Sequence, residues 1–394
     1  MIFQTFDDKK KCVAICVKDK IHKDKIPPSL TKTWDYSETL RDKRIEYAKY
    51  YCGGKDLNEI CPDHLRKEWE SVNKKLEAFH RATCEAKLDL NEHCFFDLVP
   101  PHFLLNYGRI KDKICAYIFS NFKKPHNYEF MVDLIKVLTE IKNTKLNINA
   151  APLDARRHEF KVRKFLKKIN KTSPYITYNM QGTKTGRLTS KAFPILTMDK
   201  EYRIILKPNN KWFLELDYNA AELRVMLALL GREQPKEDLH EWNLKNVYKG
   251  TGTRDEAKKR IFAWLYNPES KDHLPSQEYN REELLTKYWD GTHIKTYFNR
   301  EIEADKHHAL NYIIQSTAAD LFLRQMIKVW KLLKDKRSQV AFCLHDSLII
   351  DLAEEDEAMV NEIKEEFAIT ELGKFKVNVF GGKNFGEMKR MNVK

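Results

Sequence analysis

The chain has 394 residues, 42% hydrophobic and 32% charged, which suits a folded protein of two or three subdomains and excludes a disordered one. Lysine and arginine outnumber the acids 70 to 57, and the resulting charge of +13 suits a polyanionic partner, of which nucleic acid is the commonest. No apolar run is long enough for a transmembrane helix, and the acid-containing start MIFQTFDDKKKCV has neither a signal nor a transit pattern. A cytoplasmic protein with no membrane partner is the expectation. The eight cysteines (12, 16, 52, 61, 84, 94, 115, 343) include no Cys-x-x-Cys pair and no matching His/Cys set for zinc. Without a secretory signal they read as reduced, mostly structural thiols.

Residues 1–35 read as a short β-rich segment (FQTF, CVAICV) of unassigned role, closed by a lysine-rich connection ending in Pro27-Pro28. From about 36 to 148 apolar residues recur three and four apart, as in HLRKEWESVNKKLEAFHRATCEAKL and YEFMVDLIKVLTEIKN, which predicts a helical scaffold. Residues 154–173 carry eight cations with few acids between them. Such a run is usually a solvated face, but it directly precedes a stretch suited to nucleic acid, so phosphate tracking is an equal alternative. That stretch is YITYNMQGTKTGRLTSKAFPIL, residues 175–196, where a glycine pair lets backbone approach a partner beside Arg187.

The stretch KWFLELDYNAAELRVM, residues 211–226, predicts a buried strand that delivers Asp217 to its exit and runs into a helix carrying Glu222 and Arg224. A carboxylate there can hold a hard cation that keeps positions open for phosphate, although a helix-capping Asp is the commoner explanation. His240 then sits at an acidic-apolar turn, a place where a surface histidine is usual. Arg254, Lys258, Phe262 and Tyr266 are each four apart and form one stripe on a helix that Asn267-Pro268 ends. Two cations followed by two aromatics is not a core pattern; it suits a surface that binds a triphosphate at one end and stacks a base at the other. Residues 304–333 predict one long amphipathic helix with His307, Asn311 and Gln315 on its polar face. That face is ordinarily solvent-facing, yet amides suit minor-groove acceptors. Finally QVAFCLHDSLIIDL, residues 339–352, predicts two strands flanking a His345-Asp346-Ser347 turn, a geometry able to bring Asp346 beside Asp217.

Together Asp217-Tyr218 with Glu222-Leu223-Arg224, the Arg254–Tyr266 helix and the His345-Asp346 hairpin resemble motifs A, B and C of the family A DNA polymerases, the polymerase I family. Thr185-Gly186-Arg187-Leu188 resembles that family's primer-side motif, and Asn311 and Gln315 resemble its template-primer contacts. The resemblance runs from about residue 172 to the C-terminus, and the Arg-Asp-x-Ala-Lys form of motif B, with His307, is closer to the bacteriophage branch than to the bacterial one.

What the resemblance implies is an α+β right-hand fold: an antiparallel palm sheet (172–235 and 325–394), helical fingers (236–324) and a helical thumb with its support (36–171). It implies two Mg²⁺ ions, about 3.5–4 Å apart, bridged by Asp217 and Asp346 with the Tyr218 carbonyl helping. Arg254, Lys258 and His240 would neutralise the triphosphate, with Lys258 placed to protonate pyrophosphate. Glu222 with Phe262 would exclude a 2′-hydroxyl, and Tyr266 would lie near the templating base. Thr185, Arg187, His307, Asn311, Gln315 and His345 would contact primer-template DNA.

The chain departs from the family at Ser347, where a Glu usually follows His-Asp, at Ala263 and Asn267 in place of glycines, and at Ile195 in place of an Asn. The first 150 residues hold no Asp-x-Glu pair with which the family's 3′–5′ exonuclease begins, so any proofreading is expected from a separate exonuclease chain or from a part outside this sequence, and no insertion for a processivity factor is recognisable. Competing readings are a single-subunit RNA polymerase or reverse transcriptase, distinguished by ribonucleotide use, and a nucleic-acid-binding descendant without catalysis, against which both retained aspartates argue.

Overall fold

The computed structural model describes residues 1–7, 9, 12–267 and 269–393. Pro268, expected to end a helix, lies outside the described residues. The chain divides into two compact units, one of residues 1–145, 168–178 and 191–193, the other of 146–167, 179–190 and 194–394.

In the first unit, strands β1 (Gln4–Thr5), β2 (Ala14–Val17) and β3 (Lys20–Lys23) form an antiparallel sheet. Helices α1 (Asp63–Glu85), α2 (Pro101–Asn121) and α3 (Tyr128–Asn143) occupy the region of helical periodicity. Segment 1–35 is therefore not free-standing. Its strands share one unit with these helices, because β2 is buried at all four positions and α2 approaches it closely enough that a Cβ on Gly108 would lie 2.7 Å from Cys16 Sγ. One core cluster joins Phe6, Ala14 and Cys16 to Phe95, Phe96, Phe103 and Leu104.

The expectation of reduced thiols is corrected here: Cys12 and Cys94 form a disulfide that joins residues 82 apart. Nothing in cysteine spacing reveals such pairing. Beside it Asp7 accepts the backbone N–H groups of Lys9 and Phe95 at 3.0 and 2.8 Å, tying the β-segment to the 94–95 turn.

The second unit is built on a five-stranded antiparallel sheet. Its named elements in chain order are α4 (Phe160–Ile169, of which residues 160–167 belong to this unit), β4 (Trp212–Tyr218), α5 (Ala221–Leu229), α6 (Leu239–Asn246), α7 (Arg254–Tyr266), α8 (Lys306–Leu332), β5 (Gln339–Leu344), β6 (Ser347–Leu352), α9 (Val360–Ala368), β7 (Val377–Gly382) and β8 (Lys389–Arg390). The strand order is β5-β6-β4-β7-β8, so β4 is central. All six residues of β6 are buried, as expected of a strand covered on both faces. The 27-residue α8 packs against α5 and α9, burying Leu321, Phe322, Met326 and Val329.

Candidate active site

The site starts with strand register. Asp217 is the penultimate residue of β4, and its direct cross-strand neighbours are Ser347 on β6 and Asn378 on β7. Directly opposed residues share a face, and both neighbours donate to the carboxylate: Ser347 Oγ to Oδ1 at 3.1 Å and Asn378 Nδ2 to Oδ2 at 3.4 Å. Leu344 pairs with Ser347, so the hairpin turn consists of His345 and Asp346 alone. Ser347, expected within the turn, is instead the first strand residue, because a two-residue loop closes the hairpin. The turn puts His345 in the left-handed region at φ 56° and leaves both its side chains exposed.

Asp346 stands close enough to Asp217 to act on it electrostatically. Burial first, and then the Asp346 carboxylate, push the Asp217 carboxyl above its ordinary range, opposed by Asn378, Ser347 and the Lys258 ammonium. The structure brings Asp217, Asp346 and Lys258 into one electrostatic neighbourhood. Glu215, one pleat back on the same face of β4, was not singled out by sequence. Burial, chiefly, also raises its carboxyl, and Ser347 hydrogen-bonds to it.

The Glu-Leu-Arg triplet after Asp217 divides its tasks. Arg224 is fully buried and donates to Asn219 O, Pro235 O and Glu237 O at 2.8–3.0 Å. It is a structural tie that fixes the loop leading into α6. Asn219 continues that tie, accepting from Leu239 N and donating to Asp238, each at 2.8 Å. Asp238 in turn caps α6 and pairs with Arg254 at 2.8 Å. Although burial alone would raise it, hydrogen bonds led by Arg254 hold the Asp238 carboxyl well below the usual range.

His240 is buried, not a surface residue. It packs at 5.8 Å from the Phe262 ring, and burial lowers its pKa to about 4, so it is a neutral imidazole. Its Nδ1 has no hydrogen-bond partner among the described residues. Phe262 and Tyr266 stack at 5.9 Å with planes 11° apart, and both the aromatic end and Lys258 on α7 are accessible to varying degree. The α7 stripe therefore exists as a surface, starting from a capping box at Thr253 and Glu256.

Glu222 is gripped from two sides. Arg187 donates to Oε1 at 2.5 Å and the Tyr266 hydroxyl donates to Oε2. Gln315 hydrogen-bonds to Tyr266 and donates to Asn311 Oδ1 at 3.2 Å. Arg187, Glu222, His345 and Asp346 line one crevice with Gly186. Gly186 has φ +79°, and a Cβ there would lie 2.6 Å from the Arg300 guanidinium. Arg300 pairs at 2.6 Å with Asp320, which is 3% exposed, so an ion pair to a buried carboxylate backs the Arg187 turn.

Two expected DNA contacts are not drawn into this cluster. The Thr185 side chain is buried, 3.5 Å from the Thr183 hydroxyl, and His307 is exposed near the start of α8, against His308. Tyr218 keeps only its backbone for the site, since its ring stacks on Phe367 and its hydroxyl donates to Phe367 O at 2.6 Å.

A divalent cation fits the donors present. Asp217 and Asp346 are oxygen ligands whose mutual repulsion a cation would relieve, and Mg²⁺ is characteristically held by one or two carboxylates together with substrate phosphates.

Residues 268–387 match the family model for DNA polymerase family A, a segment that contains α8 and the Asp346 hairpin. The thermostable DNA polymerase I of Thermus filiformis is 26% identical over 247 residues, covering 48% of this chain and 29% of that protein. The chain thus spans less than a third of that curated relative. The fold is similar to that of a solved "POL domain of Pol1 from M. smegmatis complex with DNA primer-template and dNTP", with a TM-score of 0.69 and 10% identity over 98% of this chain and 95% of that one. No helix among the described residues is long and apolar enough to cross a membrane. Residues 268–387 thus resemble DNA polymerase family A, and the fold of nearly the whole chain is similar to that of a solved polymerase domain.

Proposed function

We propose that this chain is a DNA-templated DNA polymerase that extends a primer 3′-hydroxyl with deoxynucleoside triphosphates. The observation that carries the reading is the approach of Asp346, at a hairpin tip, to Asp217, at the end of the central strand, with Lys258 as the neighbouring cation. Phosphoryl transfer requires positioning and charge neutralisation more than covalent chemistry, and this cluster supplies both.

Mg²⁺, held by Asp217, Asp346 and the Tyr218 carbonyl, would supply activation of the hydroxyl and neutralisation of phosphate charge. Ser347 and Asn378 orient the Asp217 carboxylate by their hydrogen bonds. Lys258 makes no ion pair among the described residues and is available to the triphosphate and to departing pyrophosphate. Arg254 reaches the same end of α7, steered by Asp238. His240, neutral and short of a partner at Nδ1, offers a hydrogen bond, not a charge. Glu222, backed by Tyr266, restricts the space beside the sugar, and Phe262 completes that wall.

On the DNA side, Arg187, His345, Asn311 and Gln315 are the proposed minor-groove and backbone contacts, with Thr185 supporting the Arg187 turn from within and His307 an outlying contact. The structurally similar mycobacterial domain was solved in complex with DNA primer-template and dNTP, and the same two partners are proposed for this chain. The domain assignment carried with this reading is palm 172–235 and 325–394, fingers 236–324, and thumb with its support 36–171. The Arg254-Asp255-x-Ala257-Lys258 pattern supports a bacteriophage-like role in genome replication.

The deciding experiment is extension of a labelled primer on a DNA template with Mg²⁺ and four deoxynucleotides, alongside Asp346→Ala. Templated extension that the variant loses, with primer-template binding retained, is expected. Binding without extension in the wild-type chain would replace the reading with that of a non-catalytic binder.

A further inference from the structure

Helix α4 turns Val162 and Leu166 inward, at 0% and 6% exposure, and stacks Phe165 on Tyr202 at 4.3 Å. On the opposite face, at positions i, i+4 and i+7, stand Phe160, Lys164 and Lys167, flanked by Lys161 and Arg163. Phe160 is 70% exposed, the most exposed large apolar side chain among the described residues. It is therefore no part of the core stripe. Arg156 and Arg157, just before the helix, are engaged with Glu159, Glu201 and Asp154. The four cations around Phe160, by contrast, make no ion pair among the described residues.

We infer that this face of α4 binds single-stranded DNA, with Phe160 stacking on an unpaired base while Lys164, Lys167, Lys161 and Arg163 follow the phosphates. The charges select a polyanion, and the ring selects among polyanions. An acidic peptide would satisfy the lysines but offers the ring no flat face, and a duplex hides its base faces in its own stack. An unpaired strand presents both features together, which is how single-strand binders are built. Along the helix Lys164 lies about 6 Å and Lys167 about 10 Å from Phe160, so the cations reach the phosphates flanking one stacked nucleotide. The inference extends the polymerase reading, because an unpaired templating strand is what such an enzyme meets, but it is tested by binding and not by synthesis.

The test measures binding of a labelled oligo(dT) 20-mer, and of an abasic 20-mer of equal charge, to the full chain by fluorescence anisotropy across a NaCl series. Saturating blunt duplex is included to occupy any duplex-binding cleft. Wild-type chain is expected to prefer oligo(dT). Phe160→Ala is expected to weaken oligo(dT) roughly 5- to 150-fold, with abasic binding unchanged and Phe160→Trp close to wild type. Lys164→Gln with Lys167→Gln is expected to weaken both strands and reduce the salt slope by about 1.4. Equal wild-type affinity for the two strands, or an oligo(dT) affinity indifferent to Phe160→Ala, overturns the inference. Because Phe160 is so exposed, its replacement leaves folding intact. Primer extension by wild-type chain is measured separately: its absence with the Phe160 effect present removes the polymerase reading and leaves the strand-binding face standing.

Discussion

Ser347 faces Asp217 directly across the β4–β6 pair, its Oγ donating to Asp217 Oδ1 at 3.1 Å. With Asn378 opposite Asp217 on the other flank, the carboxylate is clamped between two strands. A hydrogen bond to a charged group is worth about 1.5–3 kcal/mol. Ser347→Ala is therefore expected to reduce kcat roughly 10- to 100-fold, with little change in the KM for nucleotide, while Ser347→Thr retains most activity. Steady-state kinetics of the two variants check this; full activity in the alanine variant would show that Asn378 alone suffices.

Glu222 is held between Arg187 and Tyr266, and that grip has a measurable consequence. A carboxylate fixed beside the sugar rejects an added hydroxyl by steric and polar mismatch, which works only if it cannot swing away. Glu222→Ala is expected to lower the preference for deoxynucleotides over ribonucleotides by roughly 100-fold. Tyr266→Phe, which removes only the hydroxyl, is expected to lower it about 10-fold. The ratio of kcat/KM values for the two sugars gives the answer. Efficient ribonucleotide use by the unaltered chain would instead favour an RNA polymerase.

What the sequence showed and hid follows from how far apart the interacting groups lie. The strand ending at Asp217, the α7 stripe and the long α8 are local periodicities, so each was legible from its own residues. The hairpin carrying Asp346 was legible as two apolar strands about a turn, which made an approach to Asp217 possible, and the family resemblance turned that possibility into an expected metal pair. Asn378 lies 161 residues from its partner Asp217 and has no local pattern to mark it. The Arg300–Asp320 pair behind Gly186 is equally silent, since either residue alone is an ordinary surface charge in sequence. Ser347 read as a turn residue because serine favours turns, and only the two-residue loop moved it into the strand. The Cys12–Cys94 bond was hidden because cysteine spacing does not encode connectivity.

Gly186 is required twice over. Its φ of +79° costs a residue with a side chain about 1–2 kcal/mol, and the added Cβ would meet the Arg300 guanidinium at 2.6 Å. Moving Arg300 would strip the buried Asp320 of its partner, a loss of up to roughly 3–5 kcal/mol where no other donor replaces it. Gly186→Ala is thus expected to lower Tm by several degrees and to raise the KM for primer-template through Arg187. Thermal denaturation and extension kinetics check both effects. An unchanged Tm would mean that Arg300 has room to shift without losing Asp320.

His240 gives the second unit a pH dependence whose sign is fixed. Burial lowers its pKa from 6.5 to about 4, with Lys258, Arg254 and Arg224 reinforcing and Asp238 opposing. Between these values the unfolded chain binds a proton that the folded chain refuses, so stability falls as pH falls. The contribution is complete above pH 6.5 and is lost progressively down to about pH 4, a total of about 3 kcal/mol. His240→Gln cannot titrate, so the difference in unfolding free energy between wild type and variant should shrink in the wild type's disfavour across that window. Denaturant unfolding at pH 7.5, 6, 5 and 4.5 measures it. A difference that stays constant with pH would mean that the folded imidazole binds its proton as the unfolded one does; a difference that moves in the wild type's favour as pH falls would mean that the folded imidazole is held protonated and presents a charge to phosphate.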